Sequence, residues 1–256
     1  MSQKPKKIKI IPKSQICAAT CNYARPNNAK ACVKRLKELG LTEIIVWNNQ
    51  AKPVPGATRN IVSATNVGSI GRYYVGLHTQ RPYILIVDDD HRLTRAGLTA
   101  LRTWAVKYPA VVQCGAIFNP PFKRYFDRKV IRSHQVKKPK RVDMVLPFGG
   151  LLISTELCRK ILDHWSWQFK EAVRPGFIAT DLAVSCGILD LTGQHPVVVP
   201  SNGNGIEKLK DEAPHKALSH QKGAKEEKTK ILRWMIAHGW KPLKMKASSK
   251  KAGDGE

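Results

Sequence analysis

The sequence predicts a single α/β domain with a mixed central sheet flanked by helices. Short apolar segments rich in β-branched residues alternate along the chain with amphipathic segments of about a dozen residues, which is the order of elements in α/β proteins. Polar side chains directly follow several apolar segments, and open α/β sheets bind their ligands at that edge. The length of 256 residues is enough for one large domain of this kind.

The first predicted elements form a βαβ unit. Residues 14–20 are a short apolar strand, followed by a helix that Asn27 or Asn28 would cap and that ends at Gly40. Residues 42–47 return as a second buried strand. Crossovers of this kind are right-handed almost without exception, so the polar residues that end these strands are expected at one edge of a parallel sheet. These residues are Thr20, Arg25 and Asn48.

The rest of the chain continues the alternation. Further strands are predicted at residues 61–66, 83–87, 110–118, 143–154 and 196–200, and further helices at 68–78, 98–108, 155–169, 182–189 and 226–238. Arg72 lies in the first of these helices. Around the domain, predicted to span residues 14–243, we expect a mobile basic arm at residues 1–13 and a disordered tail at residues 244–256.

Three consecutive acids follow the buried strand at residues 83–87. Asp88, Asp89 and Asp90 stand together in a chain with 19 acidic and 44 basic residues, and adjacent like charges are costly without a cation among them. Carboxylate oxygens suit Mg²⁺ or Mn²⁺, which commonly also bind the oxygens of a diphosphate. The alternative is that the acids only begin a loop before the helix that follows Thr94.

The formal charge of +25 points to an anionic partner, most commonly nucleic acid and next an anionic membrane. The alternative is a ribosomal-type binder or a basic surface without function. Residues 119–141 concentrate nine basic residues around Phe122, Tyr125 and Phe126, a mixture suited to phosphates with bases stacked beside them. In the other interpretation the rings pack back on the core. The DNA-binding candidates are Lys123, Arg124, Arg128, Lys129, Arg132, Lys137 and Lys138.

Cysteines and hydropathy bear on the compartment. The six cysteines form no CxxC pair, so reduced thiols are expected. No apolar run approaches the roughly 18 residues that cross a bilayer, and the Lys-rich start lacks the apolar region of a signal peptide. We therefore expect a cytoplasmic protein without a membrane partner.

Asp181 is the candidate catalytic residue. It falls in the first turn of the predicted helix at residues 182–189, which Thr180 can cap, and a carboxylate is favoured there by the helix dipole. In most proteins such an acid is a capping device. In an active site the same position would hold a general base directed at an incoming hydroxyl.

Together these segments resemble the exostosin-like glycosyltransferase domain, family 64, which has the GT-A (Rossmann-like) fold. The turn at residues 20–25 resembles that family's Thr-x-x-Arg turn, residues 46–49 its Val-Trp-Asn-Asn strand end, and residues 86–90 its metal-binding DxD. Residues 179–183 are similar to its Glu-Asp-Ile-Ala segment. Residues 217–219 and 239–243 resemble its closing helix.

The resemblance implies roles for these residues. Thr20, Arg25 and Asn48 would hold the uridine and ribose of a UDP-sugar, with Asp88 and Asp90 beside the ribose and a Mn²⁺ or Mg²⁺. Asp90 would be the main metal ligand, and Asp181 would contact the acceptor. The donor-binding candidates also include Arg72 and Asp89.

Two positions depart from the family pattern. Thr180 stands where the family has Glu, and the histidine near the family's carboxyl end has no counterpart at the same spacing. His220 or His215 would supply the third metal contact instead.

The charge favours a relative that acts on DNA over one that acts on secreted polysaccharides. The hypothesis is a glycosyltransferase, phage-encoded and similar in role to base J glucosyltransferases. It would move a sugar, glucose in the first instance, from UDP to 5-hydroxymethyluracil or 5-hydroxymethylcytosine. Two alternatives stay open: a non-catalytic nucleic-acid binder on a degenerate transferase fold, and a transferase for a glycan or protein acceptor.

Overall fold

The computed structural model describes residues 9–172, 179–210, 212–213 and 221–245. Most of the predicted arm and tail, together with His215 and His220, lies outside the described residues. At the start of the described chain, Ile11 is buried and its amide donates to the Arg102 carbonyl over 3.1 Å. The Arg102 side chain donates back to the Ile11 carbonyl over 2.6 Å, so the chain is fixed to the domain from this residue onward.

Strands and helices alternate in the predicted order. The strands are β1 (Ile16–Asn22), β2 (Glu43–Asn49), β3 (Arg59–Ser63), β4 (Tyr83–Ile86), β5 (His91–Leu93), β6 (Ala110–Val112), β7 (Cys114–Phe118), β8 (Arg128–Arg132), β9 (Lys140–Arg141), β10 (Met144–Val145), β11 (Leu151–Ser154), β12 (Val197–Val198) and β13 (Ile206–Lys208). The α-helices are α1 (Pro26–Glu38), α2 (Gly71–Tyr74), α3 (Arg95–Trp104), α4 (Thr155–Leu162), α5 (Thr180–Thr192) and α6 (Ala224–Ala237).

The main sheet is mixed, as predicted. Across the described residues its strand order is β3-β2-β1-β4-β11-β6-β12-β9. The first four strands are parallel, whereas β11 runs antiparallel between β4 and β6. The register pairs Ala19 of β1 with Ile86 of β4 and Asn22 of β1 with Asn48 of β2. The carboxyl ends of β1, β2 and β4 therefore meet at one edge.

Two small sheets account for the strands that sequence periodicity did not separate. The segment predicted as one strand at residues 110–118 is two, because Gln113 breaks the pairing and β7 joins a second sheet, β10-β7-β8. Residues 119–141 supply β8 to that sheet and β9 to the edge of the main one. In the third sheet β13 pairs with β5 directly after the three acids.

Several predicted helix ends differ from those observed. Neither Asn27 nor Asn28 caps α1 with its side chain; instead their amides donate to the Glu212 carboxylate over 3.1 and 3.0 Å. Thr180 is the first residue of α5, and its hydroxyl lies 2.8 Å from that of Ser69 instead of capping the helix. The helix predicted at residues 68–78 is α2 between two 3-10 turns, and α4 ends at Leu162 with a 3-10 helix after it.

The core lies on both faces of the main sheet. One cluster packs α1 and α3 against one face, and a larger one packs α4, α5 and α6 against the other. Five of the six cysteines are buried and Cys21 is half-buried; all six are free thiols. Within the described ranges, no helix combines the length and apolar character needed to cross a membrane.

Candidate active site

The three acids form a half-buried turn at the carboxyl end of β4. The turn leads directly into β5, whose partner β13 pairs Lys208 with His91. The Leu209 amide also donates to the Asp90 carbonyl over 2.9 Å. The acid turn is thus held from both sides, by the sheet that precedes it and by the β5-β13 ribbon.

Arg25 neutralises two of the three acids. Its Nη1 lies 3.2 Å from Asp89 Oδ1 and 3.1 Å from Asp90 Oδ2, with all three side chains largely out of solvent. The residue precedes Pro26, the first residue of α1, so the turn after β1 places its guanidinium over the end of the neighbouring strand β4. The sequence placed Arg25 and these acids at one edge, and the structure brings them into contact.

Burial and charge act in opposite directions on these carboxyls. Burial raises the pKa of Asp89 to about 6, against the opposing effect of Arg25. Burial also favours the neutral form of Asp90, but the hydrogen bond and charge of His91, with the charge of Arg25, outweigh it and lower the pKa. The turn therefore stabilises the ionised form of Asp90, which is the form that binds a metal ion.

His91 orients Asp90. Its Nδ1 lies 2.6 Å from Asp90 Oδ1, and its ring stacks on Phe148 with centroids 4.7 Å apart. Sequence reasoning did not assign His91 a role, although it directly follows the acids. The contact with Phe148 had no sequence signal, because it depends on how the bend before β11 reaches across the sheet.

Arg72 connects the acid turn to the candidate base. It is buried in α2, its Nη1 contacts Asp88 Oδ1, and its Nη2 lies 3.6 Å from Asp181 Oδ1. Asp181 occupies the first turn of α5, as predicted, where the helix dipole adds to the attraction of Arg72. Asp88, Arg72 and Asp181 thus form a continuous charged row.

Thr20 and Asn48 are fully buried at the same edge. Asn48 belongs to an amide network: Asn22 Nδ2 donates to Asn48 Oδ1 over 3.0 Å, and Asn48 Nδ2 donates to Asn60 Oδ1 over 3.0 Å. Thr20 Oγ1 and Asn22 Oδ1 are buried without a hydrogen-bond partner among the described residues.

The donor set fits a hard divalent cation. Asp88, Asp89 and Asp90 supply only carboxylate oxygens, the ligands that Mg²⁺ and Mn²⁺ prefer. Among the described residues, the one group of three possible ligands whose atoms all lie within 4.8 Å of one another is His164, Cys186 and Asp190; the three aspartates of the turn do not lie that close together. In that group of three, the Ser166 amide donates to His164 Nδ1 over 3.2 Å. The proton is then on Nε2, 3.4 Å from Asp190, which makes this an ordinary His–Asp hydrogen bond.

The predicted DNA-binding residues divide into two kinds. Arg128 is half-buried and packs its guanidinium 4.0 Å from the centroid of the Tyr125 ring. The Tyr125 ring is buried against Phe118, so the interpretation that the rings pack on the core holds for it, whereas Phe126 is 47% exposed. The other predicted residues are exposed: Lys123, Arg124, Lys129, Arg132, Lys137 and Lys138.

No protein-family model matches the chain, and no curated protein matches its sequence. Its structure is similar to that of GalNAc-T7 with UDP, GalNAc and Mn²⁺, with a TM-score of 0.53 at 10% identity. The match covers 76% of this chain and 44% of that chain, so this chain spans less than half the length of GalNAc-T7. GalNAc-T7 is a glycosyltransferase of the GT-A type, and the likeness confirms the predicted fold class: the chain has the GT-A fold.

Proposed function

We propose that the chain is a metal-dependent glycosyltransferase that uses a UDP-sugar donor and a hydroxymethylated pyrimidine of DNA as acceptor. The observation that carries the transferase part is the row Asp88, Arg72 and Asp181 at the carboxyl edge of the sheet. It joins a cluster of carboxylates to a separate carboxylate on a helix N-terminus, in a fold that GalNAc-T7 shares.

On the donor side, Asp90 and Asp88 would hold Mn²⁺ or Mg²⁺. When bound, the cation supplies positive charge that stabilises the leaving diphosphate. The charge of Arg25 offsets the repulsion between the carboxylates of Asp89 and Asp90. Thr20, Arg25 and Asn48 stand at this edge and would hold the uridine and ribose, as the resemblance implies.

On the acceptor side, Asp181 would orient the hydroxyl of the acceptor or accept its proton. Arg72 holds the Asp181 carboxylate at 3.6 Å, and the α5 dipole stabilises its negative charge. A base inside a duplex cannot reach such an edge, so it would be flipped out at a cost of a few kcal/mol. The exposed ring of Phe126 is suited to stack on a flipped base.

Support for DNA as the acceptor comes from charge. The net charge is +25, and six of the seven basic residues predicted to bind DNA are exposed. A surface of this kind attracts a polyanion over distances of about a Debye length. A neutral glycan acceptor would gain nothing from it.

The test is incubation of the protein with UDP-glucose, UDP-GalNAc or UDP-GlcNAc, MnCl₂ and duplex DNA containing 5-hydroxymethyluracil or 5-hydroxymethylcytosine. The DNA is then digested and its nucleosides are weighed by mass spectrometry. We expect the modified base to gain the mass of a hexose with UDP-glucose, or of an N-acetylhexosamine with the other two donors, and we expect EDTA to abolish the gain. The matched control is DNA with thymine or cytosine at the same position. Donor hydrolysis without transfer to DNA would support the transferase and exclude DNA as its acceptor. Salt-dependent DNA binding without donor binding would favour the non-catalytic alternative.

A further inference from the structure

Two cations, Arg128 and Lys228, share the aromatic ring of Tyr125. The Arg128 guanidinium lies 4.0 Å from the Tyr125 ring centroid, and Lys228 Nζ of α6 lies 5.2 Å from the same centroid. Both side chains are half-buried, whereas the Tyr125 ring is only 2% exposed. The sequence did not distinguish Lys228 from the other lysines of α6, because lysines recur along the first turns of that helix.

The surrounding backbone fixes this arrangement. The Tyr125 amide donates to Thr229 Oγ1 over 3.1 Å, and Arg233 donates to the Lys123 carbonyl over 2.7 Å, so α6 is joined to the segment before β8. Arg128 itself donates to the Tyr125 carbonyl over 2.9 Å. Neither cation depends on a long flexible loop for its position.

The two cations lack a matching anion. Among the residues that the structure describes, neither Arg128 nor Lys228 has a carboxylate within ion-pair distance. Burial lowers the pKa of Lys228, Asp181 raises it only in part, and the charge of Arg128 lowers it again. The charge of Asp181 is also felt at the Tyr125 phenol, whose pKa burial and this carboxylate raise. The charge of Asp181 therefore offsets the effect of burial on Lys228 only in part.

We propose that Arg128 and Lys228 form a phosphate-binding site at the Tyr125 ring. The guanidinium and the ammonium come from two elements to within 4.0 and 5.2 Å of one ring centroid, and both groups donate the charged hydrogen bonds that a tetrahedral dianion or a phosphodiester accepts. A half-buried cation without an anion is costly, and a bound phosphate removes that cost. Within the proposed function, the phosphate belongs either to the diphosphate of the donor or to the backbone of the nucleic-acid acceptor.

Lys228→Gln tests the site, with Lys230→Gln as its matched control. Lys230 lies on the same helix, is exposed, and pairs only with Glu227 at 3.6 Å, so its substitution removes the same charge elsewhere. Binding is measured without turnover, for three probes: UDP with MnCl₂ by calorimetry, a fluorescein-labelled duplex by anisotropy, and inorganic pyrophosphate by calorimetry. Thermal unfolding of each variant controls for folding.

We expect Lys228→Gln to lower the binding affinity for at least one probe by about tenfold or more, the loss typical of a charged hydrogen bond. Lys230→Gln should bind that probe with an affinity within about twofold of the parent. Lys228→Arg should restore the affinity that Lys228→Gln loses. An effect on UDP alone assigns the phosphate to the donor, and an effect on the duplex alone assigns it to the acceptor. The protein could instead bind pyrophosphate through Lys228 but bind neither UDP nor DNA. That result would support the phosphate site and contradict the proposed function. Equal effects of the two glutamine variants on all three probes would overturn the site.

Discussion

Arg72 Nη2 lies 3.6 Å from Asp181 Oδ1, while Nη1 of the same guanidinium contacts Asp88. One buried side chain thereby sets the distance between the acid turn after β4 and the first turn of α5. The two carboxylates come from segments more than ninety positions apart in the sequence, and their separation in space follows from α2, which is a single helical turn.

Arg72→Ala should abolish this connection. We expect activity with a sugar donor to fall by about a hundredfold or more, because misplacing a reacting group by about 1 Å has effects of that size. Arg72→Lys keeps the charge but cannot contact both carboxylates, so it should be intermediate. The measurement is initial rate against donor and acceptor concentration. Arg59→Ala is the control, since Arg59 is exposed and donates only to the His78 carbonyl. Wild-type rates in Arg72→Ala would contradict a role for the row.

Asp89 should make stability depend on pH. Its pKa is raised from 3.8 to about 6 in the folded protein, so the folded state binds a proton more tightly than the unfolded chain. Its contribution to stability is then full below pH 3.8 and is lost as the pH rises through about 6. Above that pH, Asp89→Asn should be more stable than the parent by about 1–3 kcal/mol in EDTA. Urea unfolding at pH 4, 6 and 8 measures the difference, which should shrink toward pH 4. A difference that stays constant from pH 4 to 8 would contradict the raised pKa.

Strand periodicity was sufficient to predict the parallel part of the sheet and the edge where β1, β2 and β4 end. The acids and Arg25 were predicted at that edge because each follows a strongly patterned strand, whereas Asp181 was predicted only in the first turn of a helix. The contacts within the site were not predictable in the same way. Arg25 could be placed beside Asp89 and Asp90 only once the order β1-β4 was known, since nothing in the local pattern specifies which strands are neighbours.

Other features had no local signal. β7 and β10 carry apolar residues that read as continuations of neighbouring strands, and only the break at Gln113 separates β6 from β7. Glu212 supplies the carboxylate at the start of α1 from a segment far along the chain, so the asparagines expected to cap that helix do not. His91 and Lys228 contact the Phe148 and Tyr125 rings, and these contacts arise from tertiary packing alone.

Asp143 should be essential for folding stability. It is fully buried, and its two oxygens accept from the amides of Phe118 over 2.8 Å and Leu243 over 2.6 Å. Asp143→Asn places an N–H donor against one of these amides, and we expect a loss of about 2–4 kcal/mol in the free energy of unfolding. Urea unfolding at pH 7 measures it. Asp163→Asn, at an exposed position after α4, should stay within about 0.5 kcal/mol of the parent. Equal stability of both variants would show that the hydrogen bond from the Leu243 amide to Asp143 does not contribute to the free energy of unfolding.

Gly97 should not tolerate a side chain. A methyl group there would lie 2.2 Å from the Gly205 carbonyl oxygen, a backbone atom held by the Thr94 amide over 3.0 Å. Gly97→Ala must displace the segment that leads into β13, and we expect a loss of about 1–3 kcal/mol in the free energy of unfolding. Because β13 supports the acid turn through β5, Mn²⁺-dependent UDP affinity should fall as well. Thr99→Ala on the exposed side of α3 is the control. Unchanged stability in Gly97→Ala would mean that the segment before β13 moves freely.

DNA binding should depend on salt through the exposed lysines of residues 119–141. Lys137 and Lys138 are both exposed, and each phosphate contact that is lost removes close to one released counterion. In the double variant Lys137→Gln, Lys138→Gln, we expect the slope of log affinity against log salt concentration to shrink by about one to two. Fluorescence anisotropy of a labelled duplex between 50 and 200 mM NaCl, roughly the range over which such slopes are resolved, measures it. Lys107 and Lys160 lie beside Tyr83, the first residue of β4 and so at the opposite end of the strand from the acids. The double variant of those two lysines loses the same charge away from the site and should keep the parent slope; equal slopes in both double variants would place the DNA elsewhere.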